Sequence, residues 1–231
     1  MTPDLSVIIP TYNEAKRFGP HLKSVVKYLN KNYPSFELIV VDDGSNDITA
    51  KIVRREKIVK LISYTPNRGK GYAIRAGVAI AMGKLVLFMD ADLSTPLTEI
   101  PKIIKVLGDN DIVIGSRGSG DNVKRNAPLF RRLASFVFDQ IKFFMVGLRR
   151  FKDTQCGFKI FKGDIAQKLF SQAKIDRFMF DVEILYLAEK SGLKIVELPV
   201  TWADVPGSHV RFWEGIINMF RDLWRIRQLH K

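Results

Sequence analysis

Five short apolar runs alternate with segments of helical periodicity in the first half of the chain, and this alternation constrains the fold more than any other feature. The apolar runs cover residues 5–10, 36–41, 59–63, 85–89 and 112–116, and the helical segments cover 14–29, 48–56, 70–82 and 100–107. Runs that are apolar throughout are typical of strands buried on both faces of a parallel sheet. The repeated order of strand and helix therefore predicts an α/β fold, a mostly parallel sheet sandwiched by helices.

The second half follows a less regular pattern. Its spacing predicts helices over 129–148, 164–170, 180–191 and 213–229, and strands over 156–161 and 194–201. No stretch rich in Pro, Gly and Ser separates the halves, and 231 residues are enough for one large core. We therefore predict a single domain over 1–231, in which 1–120 carry the main ligand site and 121–231 add amphipathic helices.

Polar residues follow each predicted strand, at the edge where doubly wound sheets bind ligands. Asp90 and Asp92 come directly after the run 85–89, with the small Ala91 between them. Two carboxylates at this spacing can reach one Mg²⁺ or Mn²⁺ and leave coordination positions for phosphate oxygens. A solvated turn is the alternative, since Asp is common after strands, but the position at the end of a buried strand favours a metal site.

A second acidic pair, Asp42 and Asp43, follows the run 36–41. A turn and a helix cap explain the Gly-Ser-Asn that comes next, but they do not explain two adjacent acids, one of which could accept the N–H of a nucleobase. The loop 67–71 precedes a helix and offers backbone N–H groups and the cation of Lys70 to a phosphate. A solvated basic turn fits that loop equally well.

The chain is strongly basic, which indicates an anionic partner. It has 37 Lys and Arg against 24 Asp and Glu, a formal net charge of +13. Residues 124–152 hold much of the excess, with basic side chains interleaved with Phe. A nucleic-acid-binding domain is one candidate, but the sequence shows no helix-turn-helix, zinc-finger or ribonucleoprotein pattern. We therefore expect no nucleic acid partner.

The same basic and aromatic segment predicts contact with an anionic membrane surface. Its charges interrupt the apolar run that a spanning helix needs, so the helix 129–148 is expected to lie on a membrane rather than cross it. The N-terminus lacks the basic region of a signal peptide, and the single cysteine suits a reducing compartment. We therefore expect a peripheral protein on the cytoplasmic face of a membrane.

A few isolated residues invite a functional assignment that their context does not favour. Cys156 has no evident paired His, so we predict a packed small apolar residue. His21 lies in a helical surface pattern and His230 at a frayed end, and both are predicted to be inert. The helical spacing of Phe220 and Trp224 fits a core face or, given the nearby Arg side chains, a membrane-facing helix.

Taken in order, five motifs resemble those of the inverting family 2 glycosyltransferases, which have the A-type nucleotide-sugar fold. They are Val-Ile-Ile-Pro-Thr-Tyr-Asn-Glu at 7–14, Val-Val-Asp-Asp-Gly-Ser-Asn-Asp at 40–47, Asn-Arg-Gly-Lys-Gly at 67–71, Met-Asp-Ala-Asp-Leu at 89–93 and Gly-Ser-Arg at 115–117. Within that family, 153–159 and 177–186 resemble the dolichyl-phosphate β-glucosyltransferase branch, with dolichyl-phosphate mannosyltransferases as near neighbours. The resemblance covers most of the chain and implies a nucleotide-sugar-binding half over 1–120 and an acceptor and membrane-facing half over 121–231.

The resemblance also implies roles for individual residues. The residues expected at the donor are Pro10, Tyr12, Glu14, Asp42, Asp43, Lys70, Asp90, Ala91, Asp92, Gln155, His209 and Arg211. The metal ligands would be Asp90 and Asp92. Asp43 would accept from the uracil imide, and Asp42 would support that loop. The expected catalytic residues are Asp92, Arg117, Arg131 and Asp153. The two arginines would hold the lipid phosphate, whereas Asp153, Gln155 and Asp181 would orient sugar hydroxyls or, alternatively, serve as structural hydrogen-bond partners.

The reaction implied by this resemblance is the transfer of glucose from UDP-glucose to dolichyl or another polyprenyl phosphate, with Mg²⁺ or Mn²⁺. The alternative donor is GDP-mannose or another sugar nucleotide, but Ser94 stands where the mannosyl enzymes usually carry Gln. A phosphate monoester is largely ionised at neutral pH, so the acceptor needs positioning more than a general base. The leaving diphosphate needs its charge neutralised.

Overall fold

A seven-stranded sheet runs through the computed structural model, which describes residues 2–117, 146–148, 150–203 and 212–231. The strands are β1 (Leu5–Thr11), β2 (Phe36–Asp43), β3 (Val59–Tyr64), β4 (Leu85–Met89), β5 (Ile112–Ser116), β6 (Phe158–Lys162) and β7 (Ile195–Pro199). Their order across the sheet is β3-β2-β1-β4-β6-β5-β7. Neighbouring strands are parallel, except that β6 runs antiparallel to β4 and β5. The predicted mostly parallel sheet is confirmed.

Helices connect and cover these strands. In the described residues they are α1 (Phe18–Asn32), α2 (Thr49–Val53), α3 (Lys70–Ile80), α4 (Ile100–Leu107), α5 (Gly163–Gln172), α6 (Phe180–Lys190) and α7 (Phe212–Leu229), with a 3₁₀ turn at Leu97–Glu99. The strands and helices predicted for the first half are all present, with ends shifted by a few residues. The predicted helix 129–148 lies outside the described residues, apart from 146–148.

The sheet is buried on both faces because successive residues of a strand point to opposite sides. In β1, Ile8 packs in one core layer with Ile74 and Val78 of α3. Its neighbour Val7 belongs to the opposite layer, which includes Phe18 of α1. An unbroken apolar run is therefore what a central strand needs, and this explains why the runs in the sequence located the strands so well.

The loops after β1, β2 and β4 meet at one edge of the sheet. The chain leaves β1 for β2 and β3 and then returns to place β4 on the other side of β1. Such a reversal is a topological switch point, and doubly wound sheets bind their ligands beyond the strand ends there. Thr11 pairs with Asp42 in register, and β4 ends at Met89, directly before Asp90. The acidic clusters of the sequence therefore lie at the switch point.

β6 brings the second half of the chain to the same edge. Because β6 is antiparallel to β4, its first residue, Phe158, pairs with Met89, the last residue of β4. The backbone N–H of Asp90 donates to the carbonyl of Gly157 at 3.1 Å. Residues 153–157 therefore lie beside Asp90. The sequence predicted this strand but not its direction.

The last turn of α7 is anchored to α6. The Nε2 atom of His230 lies 2.7 Å from Oε1 of the buried Glu183, and Lys190 Nζ donates to the carbonyl of His230 at 2.6 Å. The prediction that His230 lies at a frayed end was therefore wrong. The carboxylate that holds it comes from a helix about 47 residues earlier, which no local sequence pattern reveals.

Candidate active site at the switch point

Asp43 fixes the glycine-rich loop, residues 67–71, against the end of β2. Its Oδ1 accepts the backbone N–H of Arg68 at 2.8 Å. Its Oδ2 accepts the backbone N–H of Gly69 and the side-chain amide of Asn67, both at 2.8 Å. The expected contact between Asp43 and a uracil imide stays a prediction. The structure gives this buried carboxylate a second role, because it shapes the loop that a phosphate would meet.

Asp42 is buried beside it with acceptor capacity to spare. Its Oδ2 accepts the hydroxyl of Ser63 at 3.0 Å, whereas its Oδ1 is buried and accepts no hydrogen bond from the described residues. An unpaired buried acceptor costs on the order of 1–3 kcal/mol. The arrangement is compatible with the expected support of the nucleotide loop by Asp42, which stays a prediction.

The loop after β1 is tied to the loop after β2. The N–H of Asn13 donates to Ser45 Oγ, and the side-chain oxygen of Asn13 accepts the N–H of Asn46, both at 2.8 Å. Asn13 has φ +54°, a left-handed conformation that Asn tolerates better than most residues. Ser45 and Asn46 therefore help to position the edge of the sheet where the sugar nucleotide is expected. The sequence pattern indicates only a turn and a helix cap for these two residues.

Pro10, Tyr12 and Glu14, which were expected at the nucleotide, lie along this tied loop. Tyr12 is exposed, and Pro10 and Glu14 are half-buried, so all three are within reach of a ligand. Glu14 is not a free carboxylate, because it forms an ion pair with Arg17 in which Oε1 and Nη2 are 2.7 Å apart. The structure brings these residues together at the edge, and their contacts with a nucleotide remain predictions.

The acidic turn after β4 is held in shape by its neighbours. Asp92 Oδ1 accepts the backbone N–H of Ser94 at 3.0 Å. The carbonyl of Ala91, between the two acids, lies 3.0 Å from Nδ1 of His21. Because a carbonyl only accepts, Nδ1 of His21 carries the proton in this contact. His21 therefore supports the turn, which its surface-like helical pattern did not indicate.

Asp90 packs between a cation and the backbone of β6. Its Oδ1 lies 2.5 Å from Nζ of Lys70. A Cβ atom added to Gly157 would overlap the Asp90 carboxylate, so only glycine leaves room for the carboxylate at this place. The antiparallel strand thus supplies a cradle for the first acid of the pair.

The pair fits an oxygen-preferring divalent cation. Both carboxylates are partly exposed, and a carboxylate offers about four acceptor positions, more than Asp90 and Asp92 use here. Within the described ranges no cluster of three or more His, Cys, Asp or Glu side chains could enclose a metal. The site therefore offers two protein ligands and would leave further positions to a ligand, as Mg²⁺ sites commonly do.

Arg117, after β5, is paired with Asp153 by two side-chain hydrogen bonds of 2.7 and 2.8 Å. The backbone N–H of Arg117 also donates to Asp153 at 3.0 Å. Burial alone would raise the pKa of Asp153, but these bonds and the guanidinium charge outweigh burial and hold that pKa below its usual value. The same bonds raise the pKa of Arg117. The structure therefore joins two residues that were expected to contact different parts of the substrates.

A buried ion pair lies behind the acidic turn. Lys159 on β6 is 1% exposed and pairs with Asp181, 4% exposed, in the first turn of α6. Burial raises the pKa of Asp181, against the opposing charges of Lys159 and Lys70. Asp181 was a candidate for a sugar hydroxyl, and the structure shows its carboxylate with the alternative role, that of a structural partner. Sequence reasoning missed Lys159, whose only signal was a lysine inside an apolar strand.

Comparison with known proteins decides the family. The sequence profile described as "Glycosyl transferase family 2" matches residues 6–170. That range is well over half of the chain and contains the strands β2 to β6 and all of β1 except Leu5. The chain belongs to glycosyl transferase family 2. The resemblance drawn from the five motifs is confirmed.

Several relatives within this family share one name. A dolichyl-phosphate beta-glucosyltransferase of Dictyostelium discoideum is 36% identical over 242 residues, which cover 96% of this chain and 73% of the relative. The enzyme of the same name from Homo sapiens is 35% identical, and the alignment covers 100% of this chain and 80% of the human enzyme. The dolichyl-phosphate beta-glucosyltransferase of Saccharomyces cerevisiae is 34% identical, and the alignment covers 98% of this chain and 75% of the yeast enzyme.

Solved structures confirm the fold of this family 2 glycosyltransferase. Glucosyl-3-phosphoglycerate synthase of Mycobacterium tuberculosis superposes with a TM-score of 0.69 at 18% identity, covering 97% of this chain and 79% of the other. A complex of that enzyme with Mn²⁺, UDP-glucose and phosphoglyceric acid gives a TM-score of 0.68 at 17% identity, covering 97% and 78%. At this level of identity the likeness establishes the A-type architecture.

Gln155 and Cys156 lie in the segment of the glycosyltransferase just before β6. Gln155 is half-buried beside Asp153, to whose Oδ1 it donates its N–H at 3.2 Å. Cys156 is buried, and burial raises the pKa of its thiol to about 12. The interpretation of this cysteine as a packed residue is therefore confirmed. Three expected residues, Arg131, His209 and Arg211, lie outside the described residues.

Proposed function

We propose that this family 2 glycosyltransferase transfers glucose from UDP-glucose to dolichyl or another polyprenyl phosphate, with inversion to the β-configuration. The observation that carries the proposal is the meeting of Asp90, Asp92 and Lys70 at the switch point, beside the ion pair of Arg117 and Asp153. This edge offers ligands for a cation, a counter-charge for a diphosphate and a guanidinium for a second phosphate. The names of the relatives supply the acceptor and the sugar.

On the donor side, the loops after β1 and β2 would enclose the nucleotide. Tyr12 and Pro10 offer apolar surface to the base, Asp43 offers an acceptor to its imide N–H, and Asp42 supports that loop. Asp90 and Asp92 would hold Mg²⁺ or Mn²⁺, which supplies charge neutralisation to the leaving diphosphate. The structurally similar glucosyl-3-phosphoglycerate synthase of Mycobacterium tuberculosis has been solved with Mn²⁺ and UDP or UDP-glucose, which supports this assignment.

On the acceptor side, the chemistry needs placement more than proton transfer. An ionised phosphate oxygen attacks the anomeric carbon, the bond from that carbon to UDP breaks, and the electron pair leaves with UDP. Arg117 can orient the phosphate because its planar guanidinium suits bidentate recognition. Its partner Asp153 stays ionised, so it can accept a hydrogen bond from a sugar hydroxyl. Arg131 is proposed as the second cation at this phosphate.

The acceptor's phosphate lies at a bilayer surface, so the enzyme is proposed to dock there, on the cytoplasmic face. No helix in the described ranges is long and apolar enough to cross a membrane. On α7, however, Phe220 and Trp224 are 38% and 59% exposed, while Leu223 and Ile226 are buried. Exposed aromatic side chains with basic neighbours are typical of helices that lie in a membrane interface. The segment 129–148 is proposed as a second contact.

A donor panel tests the proposal. The purified enzyme is incubated with dolichyl phosphate and Mg²⁺ or Mn²⁺, and UDP-glucose, UDP-galactose, GDP-mannose or GDP-glucose is offered separately. We expect a glycolipid from UDP-glucose, with the β-configuration visible in the anomeric proton coupling of the product. A product formed preferentially from GDP-mannose would contradict the donor assignment, and transfer that persists fully in EDTA would contradict the metal site.

A further inference from the structure

Lys70 occupies the position that a cation needs at the acidic turn. It is the first residue of α3, and its Nζ lies 2.5 Å from Oδ1 of Asp90. The side chain of Lys70 is 21% exposed, and a lysine side chain is ordinarily protonated at neutral pH. Lys70 is therefore an ammonium ion, and it balances part of the negative charge that a metal would otherwise meet.

The backbone under Lys70 is fixed from two sides. Asp43 accepts N–H groups from the residues just before it, Arg68 and Gly69. Gly69, at φ +108°, packs so closely on Asp176 that an added Cβ would lie 2.5 Å from its carbonyl oxygen. Only the four-carbon side chain of Lys70 can therefore respond when another charge enters the site.

One side of the Asp90 carboxylate is closed by backbone. Its carboxylate lies directly on the backbone of Gly157, where even a Cβ atom would overlap it. Its own N–H is bonded to the carbonyl of Gly157 at 3.1 Å. A second cation that uses Asp90 must therefore approach the carboxylate from its open side, where it meets the ammonium of Lys70.

The displaced ammonium would still have a negative neighbour. Asp181, buried with Lys159 behind the acidic turn, is one of the charges that act on Lys70. Asp181 is held by Lys159 rather than by the acidic turn, so a metal at that turn leaves this carboxylate in place. It keeps Lys70 within the site, where an anionic ligand can use it.

We propose that Lys70 is the resident counter-ion of Asp90 and that a divalent cation displaces it, which frees the ammonium for the diphosphate of the donor. The inference rests on the proposed function, since it takes Asp90 and Asp92 as the metal ligands. Metal alone takes Asp90 from Lys70 and gives the ammonium no new partner, whereas with UDP present the displaced ammonium gains a diphosphate partner. Metal and nucleotide therefore bind with positive coupling, and Lys70 contributes to that coupling.

Mn²⁺ titration followed by electron paramagnetic resonance tests this exchange without any turnover. The proteins are wild type, Lys70→Met, Lys70→Arg and the control Lys84→Met, which removes an exposed ion pair with Asp4. Without UDP, we expect Lys70→Met to bind Mn²⁺ about tenfold more tightly than wild type, because a nearby positive charge has gone. Lys70→Arg and Lys84→Met should match wild type. UDP should tighten Mn²⁺ binding more in wild type than in Lys70→Met.

The outcomes separate this inference from the proposed function. Equal Mn²⁺ affinity of wild type and Lys70→Met without UDP would overturn the displacement, while leaving the metal site in place. Failure of wild type to bind Mn²⁺ even with UDP, or unchanged binding by Asp90→Asn, would contradict the metal site itself. Circular dichroism and thermal unfolding verify that each variant is folded.

A second measurement needs only the wild-type protein. Reductive methylation, quantified at Lys70 by mass spectrometry, reports how accessible the ammonium side chain is. We expect Mn²⁺ or Mg²⁺ to increase the labelling rate of Lys70 but not of Lys84, and UDP added with the metal to lower it again. A rate at Lys70 that the metal leaves unchanged would overturn the proposal.

Discussion

At the scale of single residues, the charge of Asp92 can be separated from its role in the turn. Asp92→Asn keeps a side-chain oxygen for the N–H of Ser94, whereas Asp92→Ala removes both the charge and that bond. If the carboxylate is a metal ligand, both variants should lose at least about tenfold in turnover, ~1.4 kcal/mol in the activation barrier. A steady-state assay with UDP-glucose and dolichyl phosphate measures this. Near wild-type turnover of Asp92→Asn would show that only the turn matters.

The buried pair of Lys159 and Asp181 should govern stability. Lys159→Met leaves the carboxylate of Asp181 buried without its partner, and breaking such a pair typically costs about 3–5 kcal/mol. The double variant Lys159→Met with Asp181→Leu removes both charges and should regain much of the loss. Urea unfolding of the wild type and the variants measures these differences. A single variant as stable as wild type would mean that the pair contributes little.

The pair of Arg117 and Asp153 should make stability depend on pH. Because its folded-state pKa is lowered, Asp153 stabilises the fold above its unfolded pKa of about 3.9, and this contribution is lost as the pH falls through the folded value. The stability difference between wild type and Asp153→Asn should thus be largest near neutral pH, although modest, since Arg117 is 39% exposed. Urea unfolding at pH 7, 5 and 3 measures it. A difference that grows toward pH 3 would contradict the sign.

At the scale of elements, the shape of the acidic turn depends on Gly157, the residue directly before the antiparallel strand β6. Gly157→Ala removes no functional group, yet its Cβ would displace the Asp90 carboxylate. We expect turnover and Mn²⁺ affinity to fall by about tenfold or more, the loss that accompanies misplaced catalytic groups. The matched control is Gly19→Ala in α1, where a Cβ meets only Ile52 at 3.5 Å. Full activity of Gly157→Ala would mean that Asp90 need not lie there.

At the scale of the whole molecule, the outer face of α7 should decide where the enzyme works. Replacing Phe220 and Trp224 by Ser leaves the buried Leu223 in place, and should weaken binding to anionic vesicles because aromatic side chains no longer enter the interface. The control is Met82→Ser, which changes another exposed apolar side chain, in the loop just before β4. Co-sedimentation at low and high salt measures binding. Unchanged binding of the double variant would remove α7 from the membrane surface.

Most secondary-structure elements, and most members of the candidate site, could be predicted from the sequence. Strands buried on both faces require unbroken apolar runs, so the runs located β1 to β5. Because parallel strands end at a common edge, the sequence alone predicts that Asp42 and Asp90 lie near each other. The five motifs added the family, which the profile match confirms.

The pairing of the charged side chains could not be predicted, because it depends on how distant segments of the chain pack together. Lys70 with Asp90, Arg117 with Asp153 and Lys159 with Asp181 are separated by 20, 36 and 22 residues. The pairs Arg117–Asp153 and Lys159–Asp181 form because β6 enters the sheet antiparallel between β4 and β5 and brings its first residues to the acidic turn. Lys70 and Asp90 meet because α3 begins at the edge of the sheet where β4 ends. Strand direction depends on contacts summed over the whole sheet, which no local pattern encodes. For the same reason the sequence assigned separate substrate roles to residues that the fold joins in pairs.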